Sequence, residues 1–313
     1  MRKSFVLLLS FCVLFFLTLP AAAADARGER ILIFAPHPDD EALSSPGLVR
    51  RSLNRGDQVK IVLFTCGDAN TRAKESLEEK HPAKAVDRDG DGDFDMIDFG
   101  ILRHDESLAG IKLMGLTPDD VIFMGYPDGG GGRLWRFEEP QTSPYTNVNK
   151  VPEAYSFAYN PGSPYNRSGC LEDFVSIIKD FDPTIVVTPR ATDTHGDHWT
   201  LCKFVSQAVM QLYSELSGYK AHLSYLIHWE KIHPDWPEDS TKWERPLYHP
   251  KPHIRIPLAE AGMTIEEKRK IIDQHFTQTL NFGPYLRNFA KENEIFWLEN
   301  LGPEASLEEI LQF

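Results

Sequence analysis

The sequence predicts an α/β fold: a Rossmann-like, doubly wound, mostly parallel sheet with helices on both faces. Three observations point there. Short continuous apolar runs recur along the chain, helical stretches separate them, and polar clusters rich in His and Asp follow directly on two of the runs. A strand buried on both faces reads as such a run, because neither side alternates with solvent.

The first run is Arg30–Ala35, ended by Pro36. A helical stretch over 43–54 is closed by Gly56, and Gln58–Thr65 is a second run. Strand, helix and strand in about thirty residues form a βαβ unit with a right-handed crossover and parallel pairing. A helix over 107–116 and a strand over 120–124 come next, then a helix over 171–181 and a strand over 183–188. Helices near 264–280 and 286–292 close the chain. Two irregular stretches, 129–168 with its Gly129–Gly132 run and 230–253 with Trp236 and Trp243, interrupt the alternation. Long irregular segments are often functional; surface decoration accounts for them equally well. No internal repeat is present.

Met1-Arg2-Lys3 followed by an apolar run over 5–19, Pro20 and four alanines at 21–24 describes a secretory signal peptide. The run is short for a membrane span. A mature chain from near Ala24 or Asp25, one domain over 25–313, and export to the periplasm or the exterior are therefore expected, with no stable membrane insertion after cleavage. The net charge of -13 argues against nucleic acid and anionic lipid as partners, since both need basic patches. Cys66, Cys170 and Cys202 match no disulfide framework, and the sequence does not choose a pair among them. Nor does it specify an oligomeric state.

Directly after the first strand comes His37-Pro38-Asp39-Asp40-Glu41, and directly after the fourth comes Asp193-Thr194-His195-Gly196-Asp197-His198. Both fall at strand carboxyl ends, where a parallel sheet gathers its site. Imidazole and carboxylate are zinc ligands, and catalytic zinc keeps three protein ligands plus water. Each cluster holds more candidates than three ligands require, which leaves groups for acid and base work. Asp193 and Asp197 either orient His195 or cap the helix that follows.

With Ala35-Pro36 before it, the first cluster, together with His195-x-x-His198, resembles the PIG-L/LmbE-like deacetylases. The likeness extends to Arg103-x-x-Glu106, to Tyr126-Pro127-Asp128-Gly129, and to Lys268 with His275-x-x-Gln278. It implies His37, Asp40 and His198 as Zn²⁺ ligands, Asp39 as general base, and His195, in its protonated form, as the group assisting the oxyanion or leaving amine. It implies sugar contacts for Arg103 and Asp128. The chain departs from the family's usual glycine-rich turn at Ser44-Ser45-Pro46-Gly47, which leads us to expect an altered pocket there.

Residues 87–98 place Asp87, Asp89, Asp91, Asp93, Asp95 and Asp98 at loop positions 1, 3, 5, 7, 9 and 12, with Gly92 at position 6. This is EF-hand calcium spacing, with a final Asp similar to dockerin loops. The expectation is a structural Ca²⁺ held by Asp87, Asp89, Asp91, Asp93 and Asp98 beside the substrate entrance. His81, His104, His222, His228, His233, His249 and His253 show no ligand spacing and read as packing or surface residues. Most of Tyr155, Tyr159, Tyr165, Trp236 and Trp243 read as packing. The function implied is an exported zinc hydrolase that deacetylates N-acetylglucosamine or a related acylamino sugar in a glycan, glycolipid or glycoside. The alternatives are a zinc amidase on another acylated amine and a non-catalytic glycan-binding protein.

Overall fold

Alternate residues of the first strand serve two different cores. In β1 (Arg30–Ala35), Ile31, Ile33 and Ala35 enter one apolar cluster, while Leu32 and Phe34 enter another. β2 (Gln58–Thr65) divides in the same way, so the sheet is buried on both faces as its apolar runs require. The structure is a computed structural model describing residues 28–136, 155–233, 235–243 and 252–313; the expected signal peptide lies outside them.

With β3 (Val121–Tyr126), β4 (Ile185–Pro189), β5 (Ala221–Tyr225), β6 (His253–Pro257) and β7 (Asn293–Leu301), these strands form one sheet in the order β3-β2-β1-β4-β5-β7-β6. The first five strands run parallel, and β7 runs antiparallel to both neighbours. Strand order reverses between β1 and β4, which opens a crevice at their carboxyl ends. One face carries α1 (Asp40–Ser44), α2 (Pro46–Arg55) and later helices; α3 (Thr71–Lys80) and the start of α4 (Met96–Met114) share a smaller cluster. The opposite face carries α5 (Gly131–Arg136), α6 (Arg167–Phe181) and α7 (Gly196–Leu212). The chain continues through α8 (Ile265–Ile272) and α9 (Phe276–Arg287) to α10 (Leu307–Leu311). No described helix is long and apolar enough to cross a membrane.

The stretch read as one helix over 43–54 is two, because the residue before Pro46 is steered away from helical backbone. The helix expected at 107–116 begins at Met96, where Asp95 and Asp98 form a capping box. The helix near 264–280 breaks before His275, and 286–292 is the end of α9 and a connection to β7. β5 escaped notice because His222 and Ser224 interrupt its apolar character. Both are buried, and both are satisfied by Thr188 (2.7 Å) and Glu299 (2.6 Å). Cys66, Cys170 and Cys202 are buried free thiols.

The Ser44–Gly47 turn lies at the heart of this packing. Glu294 of β7 accepts from Gly47 N (2.8 Å) and Leu48 N (2.9 Å), placing a carboxylate on the first turn of α2. A Cβ at Gly47 would stand 2.6 Å from Leu258 Cδ2. Contrary to the expectation of an altered pocket, Ser44, Ser45, Pro46 and Gly47 are absent from the lining of the large cleft described below. The same Glu294 carboxylate receives Lys268 Nζ at 2.7 Å, and both side chains are buried. Removing one partner of a buried pair strands the other charge. Lys268→Ala should therefore lose about 3–5 kcal/mol in urea unfolding; a loss under about 1 kcal/mol would show that the two backbone donors alone hold Glu294.

Candidate active site

Both polar clusters emerge at the β1/β4 crevice. The chain leaves β1 through Pro36, whose carbonyl accepts from Thr65 N and Oγ1 at 3.0 Å, and turns sharply at Asp39. Asp39 has φ 143°, a conformation a side chain disfavours. Its neighbours hold it there. Asp39 N donates to Glu41 Oε2 (2.9 Å); Glu41 is fully buried, and its Oε1 accepts from Ser107 Oγ (2.6 Å). Arg103 donates to Pro38 O (2.6 Å) and Gly67 O (2.7 Å), and its Nη2 lies 3.4 Å from Asp39 Oδ1. Burial raises the Asp39 carboxyl to about 6, against the pull of Arg103.

His37 is enclosed by carboxylates: Asp40 Oδ2 lies 3.1 Å from Nδ1, while Asp128 Oδ1 (3.1 Å) and Asp197 Oδ2 (3.2 Å) flank Nε2. His198 is fully buried, with Asp193 Oδ2 3.1 Å from Nδ1. Burial opposes charge on both rings, yet these carboxylates outweigh it, lifting His37 well above its ordinary value and His198 to about 10. Despite burial, His198 and His37 hold Asp40 well below the carboxylate range. The region is thus strongly negative and favours a cation.

His37, Asp40 and His198 are donor types that zinc takes, and Asp40 stands between the two rings; His195, His228, Asp128 and Asp197 converge on the same place. Asp40 Oδ2 stands 3.1 Å from His37 Nδ1 and 3.2 Å from His198 Nε2. Ligand atoms about 2.0–2.2 Å from a tetrahedral zinc are separated by roughly 3.3–3.5 Å, close to both spacings. His198 Nε2 is buried without a hydrogen bond; its approach to Asp40 is a short contact with the wrong alignment. Asp193 behind Nδ1 is the outer carboxylate that commonly orients a zinc-binding histidine.

A cleft of about 640 Å³ opens over these groups. Its polar side includes His37, Asp39, Asp40, Arg103, Asp128, His195 and His228. His195 Nδ1 accepts from Asp197 N at 3.3 Å. Burial, then positive charge on His37, His198 and His228, lowers His195 to about 2. With Nδ1 accepting a backbone hydrogen bond, Nε2 is the nitrogen that His195 turns to donation.

Residues 32–209, over half of the chain, match the family described as PIG-L, GlcNAc-PI de-N-acetylase. The chain belongs to the PIG-L family. A 1D-myo-inositol 2-acetamido-2-deoxy-alpha-D-glucopyranoside deacetylase of Saccharopolyspora erythraea is 28% identical over 171 residues, covering 54% of this chain and 50% of the relative. The match thus spans half the length of that relative. A conserved protein of Thermus thermophilus superposes with TM-score 0.53 at 15% identity, over 87% of this chain and 95% of its own. An A40926 pseudoaglycone deacetylase gives 0.50 at 17%, over 86% and 96%. These two structural likenesses speak for the fold.

Within this PIG-L chain, the structure brings His37, Asp39, Asp40, His195 and His198 to one place, with Arg103 and Asp128 beside them. Arg103 spends two donors on backbone carbonyls, so it clamps the Asp39 loop as well as lining the cleft. Asp128 faces both the cleft and His37. Neither Asp193 nor Asp197 orients the His195 ring as an acceptor. Asp193 serves His198, and Asp197 receives Gly129 N (2.7 Å) and Gly131 N (2.8 Å). A Cβ on Gly131 would lie 2.6 Å from Asp197 Oδ1, which accounts for that glycine. His228, read from sequence as a packing or surface residue, lines the cleft, its ring 4.8 Å from His198 and 5.2 Å from His195. It follows β5, and recognising that strand was the one signal that would have exposed it.

Trp236 and Trp243 are buried and stacked at 4.7 Å, and Tyr155 is buried against Asp68 (2.7 Å). In the 87–98 loop, carboxylate oxygens of Asp87, Asp89, Asp91 and Asp98 lie within 4.8 Å of one another, with Asp93 outside that group. Asp98 accepts from Arg88 N and from Asp89 N (3.0 Å). None of 87–98 lines the cleft itself; Asp95 borders a separate hollow with Thr71, next to the cleft-lining Asn70. If Asp193 orients a zinc ligand, Asp193→Ala should weaken zinc binding about 10–100-fold in chelator competition; unchanged affinity would remove that role.

Proposed function

We propose that this PIG-L family member is an exported, zinc-dependent N-deacetylase of N-acetylglucosamine or a related acylamino sugar. The observation that carries this reading is the strained Asp39 carboxylate, held in the cleft beside the His37, Asp40 and His198 donor set. Family membership and the curated deacetylase relative support the substrate class. The residues over 1–24 support export.

Zinc held by His37, Asp40 and His198 would supply Lewis acidity toward water and the amide carbonyl. Asp39 accepts the proton of the water that attacks the carbonyl carbon. His195 donates a hydrogen bond from Nε2 to the oxygen that becomes negative. The C–N bond then breaks as the proton on Asp39 passes to nitrogen, giving acetic acid and the free amine, which part as acetate and ammonium at neutral pH. Asp193 keeps His198 in register, while Glu41 and Arg103 keep Asp39 turned toward the reacting carbon.

Asp39→Asn should retain zinc and lose about 10²–10⁴-fold in turnover, measured as acetate release beside metal content. Full activity in that variant would remove Asp39 as base. The base works only when ionised, so wild-type kcat/KM should fall as pH drops through about 6, or lower where the bound dication stabilises the carboxylate. A flat profile down to pH 4 would exclude a base of this kind.

We read residues 87–98 as a structural calcium loop as well. The twelve-residue register and the convergence of Asp87, Asp89, Asp91 and Asp98 support it. Millimolar Ca²⁺ should slow proteolysis within 87–98 without changing zinc content. Equal cleavage rates with Ca²⁺ and with a calcium-selective chelator would refute the loop.

A further inference from the structure

A second part of the cleft lining has a different character. α9 presents Gln278, Phe282, Tyr285 and Leu286 to it, spaced i, i+4, i+7 and i+8 and so sharing one helical face. Leu43, one turn beyond Asp40, and Ile227, beside His228, extend that wall. Leu43, Ile227 and Leu286 are buried, whereas Phe282 and Tyr285 are half-buried and offer ring surface.

The polar atoms of Tyr285, Gln278 and Asn70 are engaged with neighbouring groups, while Glu230, which also lines the cleft, lies 3.8 Å from His228. Tyr285 Oη donates to Ile227 O at 3.1 Å. Asn70 Nδ2 donates to Gln278 Oε1 at 2.8 Å, and Asn70 Oδ1 accepts from Ala73 N. Gln278 Nε2 reaches Thr277 Oγ1 at 3.2 Å. A second hydroxyl-rich ring packed here would lose water while finding few partners. The cleft volume, about 640 Å³, lies within the range that encloses a drug-sized ligand, with room beyond one hexosamine. The reacting amide is confined to the buried donor set, while accessible ring surface lies on Phe282 and on Tyr285, whose ring stacks 6.3 Å from that of His228. That surface is available to the portion of the substrate beyond the sugar.

We propose that the substrate is an acylamino sugar carrying an apolar aglycone, aryl or alkyl, which packs on the α9 face formed by Phe282, Tyr285 and Leu286. This rests on the deacetylase reading above and narrows it from glycans and glycosides in general to apolar glycosides. Phe282 is the specificity-determining residue. Its ring is half-buried and lies under the Arg72 guanidinium, 5.7 Å from the ring centroid.

The test compares methyl, hexyl and phenyl N-acetylglucosaminides, both anomers, with N,N'-diacetylchitobiose and N-hexanoylglucosamine. Release of the carboxylic acid by the zinc-loaded full chain gives kcat/KM. Calorimetry with the zinc-bearing Asp39→Asn protein gives binding without turnover. The hexyl or phenyl glycoside should exceed the methyl glycoside at least tenfold in both readouts, with a negative heat-capacity change on binding. In Phe282→Ser that ratio should shrink at least fivefold. Equal values for methyl and hexyl glycosides, with acetate released from both, would overturn the aglycone proposal and leave the deacetylase standing. Preference for the disaccharide, or for the N-hexanoyl amide, would overturn it in favour of a second sugar or a long acyl chain. Tenfold tighter binding of the hexyl glycoside with no turnover of any compound would sustain the apolar wall and overturn the deacetylase.

Discussion

Two buried imidazoles ringed by carboxylates organise the carboxyl edge of this sheet. His37 and His198 share Asp40, and Asp128, Asp197 and Asp193 complete the ring. That much negative charge out of water is costly unless cations meet it. The ring also ties the surrounding chain together. Asp197 draws in the backbone at Gly129 and Gly131, while Asp193 gathers the amides of His195, Ile227 and His228. The carboxylates that make a place for a cation are therefore those that fasten three separate loops to the crevice.

Asp39 stands one residue from a ring member but obeys a different constraint. Its backbone is strained, and strain persists only where the surroundings over-determine it. Here Glu41, Ser107 and Arg103 supply that determination from α1 and α4. α4 thus has two duties. Its amino end carries Asp98 of the acidic loop, and its middle braces the proposed base. α9 contributes Phe282, Tyr285 and Leu286 to the cleft lining, apolar surface rather than charge. The proposed reaction chemistry and the proposed substrate discrimination thus draw on different elements, the first on the sheet edge and the second on α9.

Much of this was legible in the chain itself. The continuous apolar runs of β1 and β2 announced strands buried on both faces, and their period left no competing reading. Because both polar clusters abut such strands, the sequence placed His37, Asp39, Asp40, His195 and His198 at one sheet edge, and its departure from apolar character at 87–98 exposed the acidic register. These are local signals, carried by residues adjacent in the chain. Tertiary structure alone decided the rest, because the partners lie far apart in sequence. It brought His228 beside His198 through a strand whose buried His222 and Ser224 meet Thr188 and Glu299. It set Asp193 against the ring of His198 and only the backbone of His195, buried the Ser44–Gly47 turn against Glu294, and turned His195 Nδ1 to the amide of Asp197. Spacing along a chain specifies which groups share an edge; burial and long-range hydrogen bonds decide which of them meet and what charge they carry.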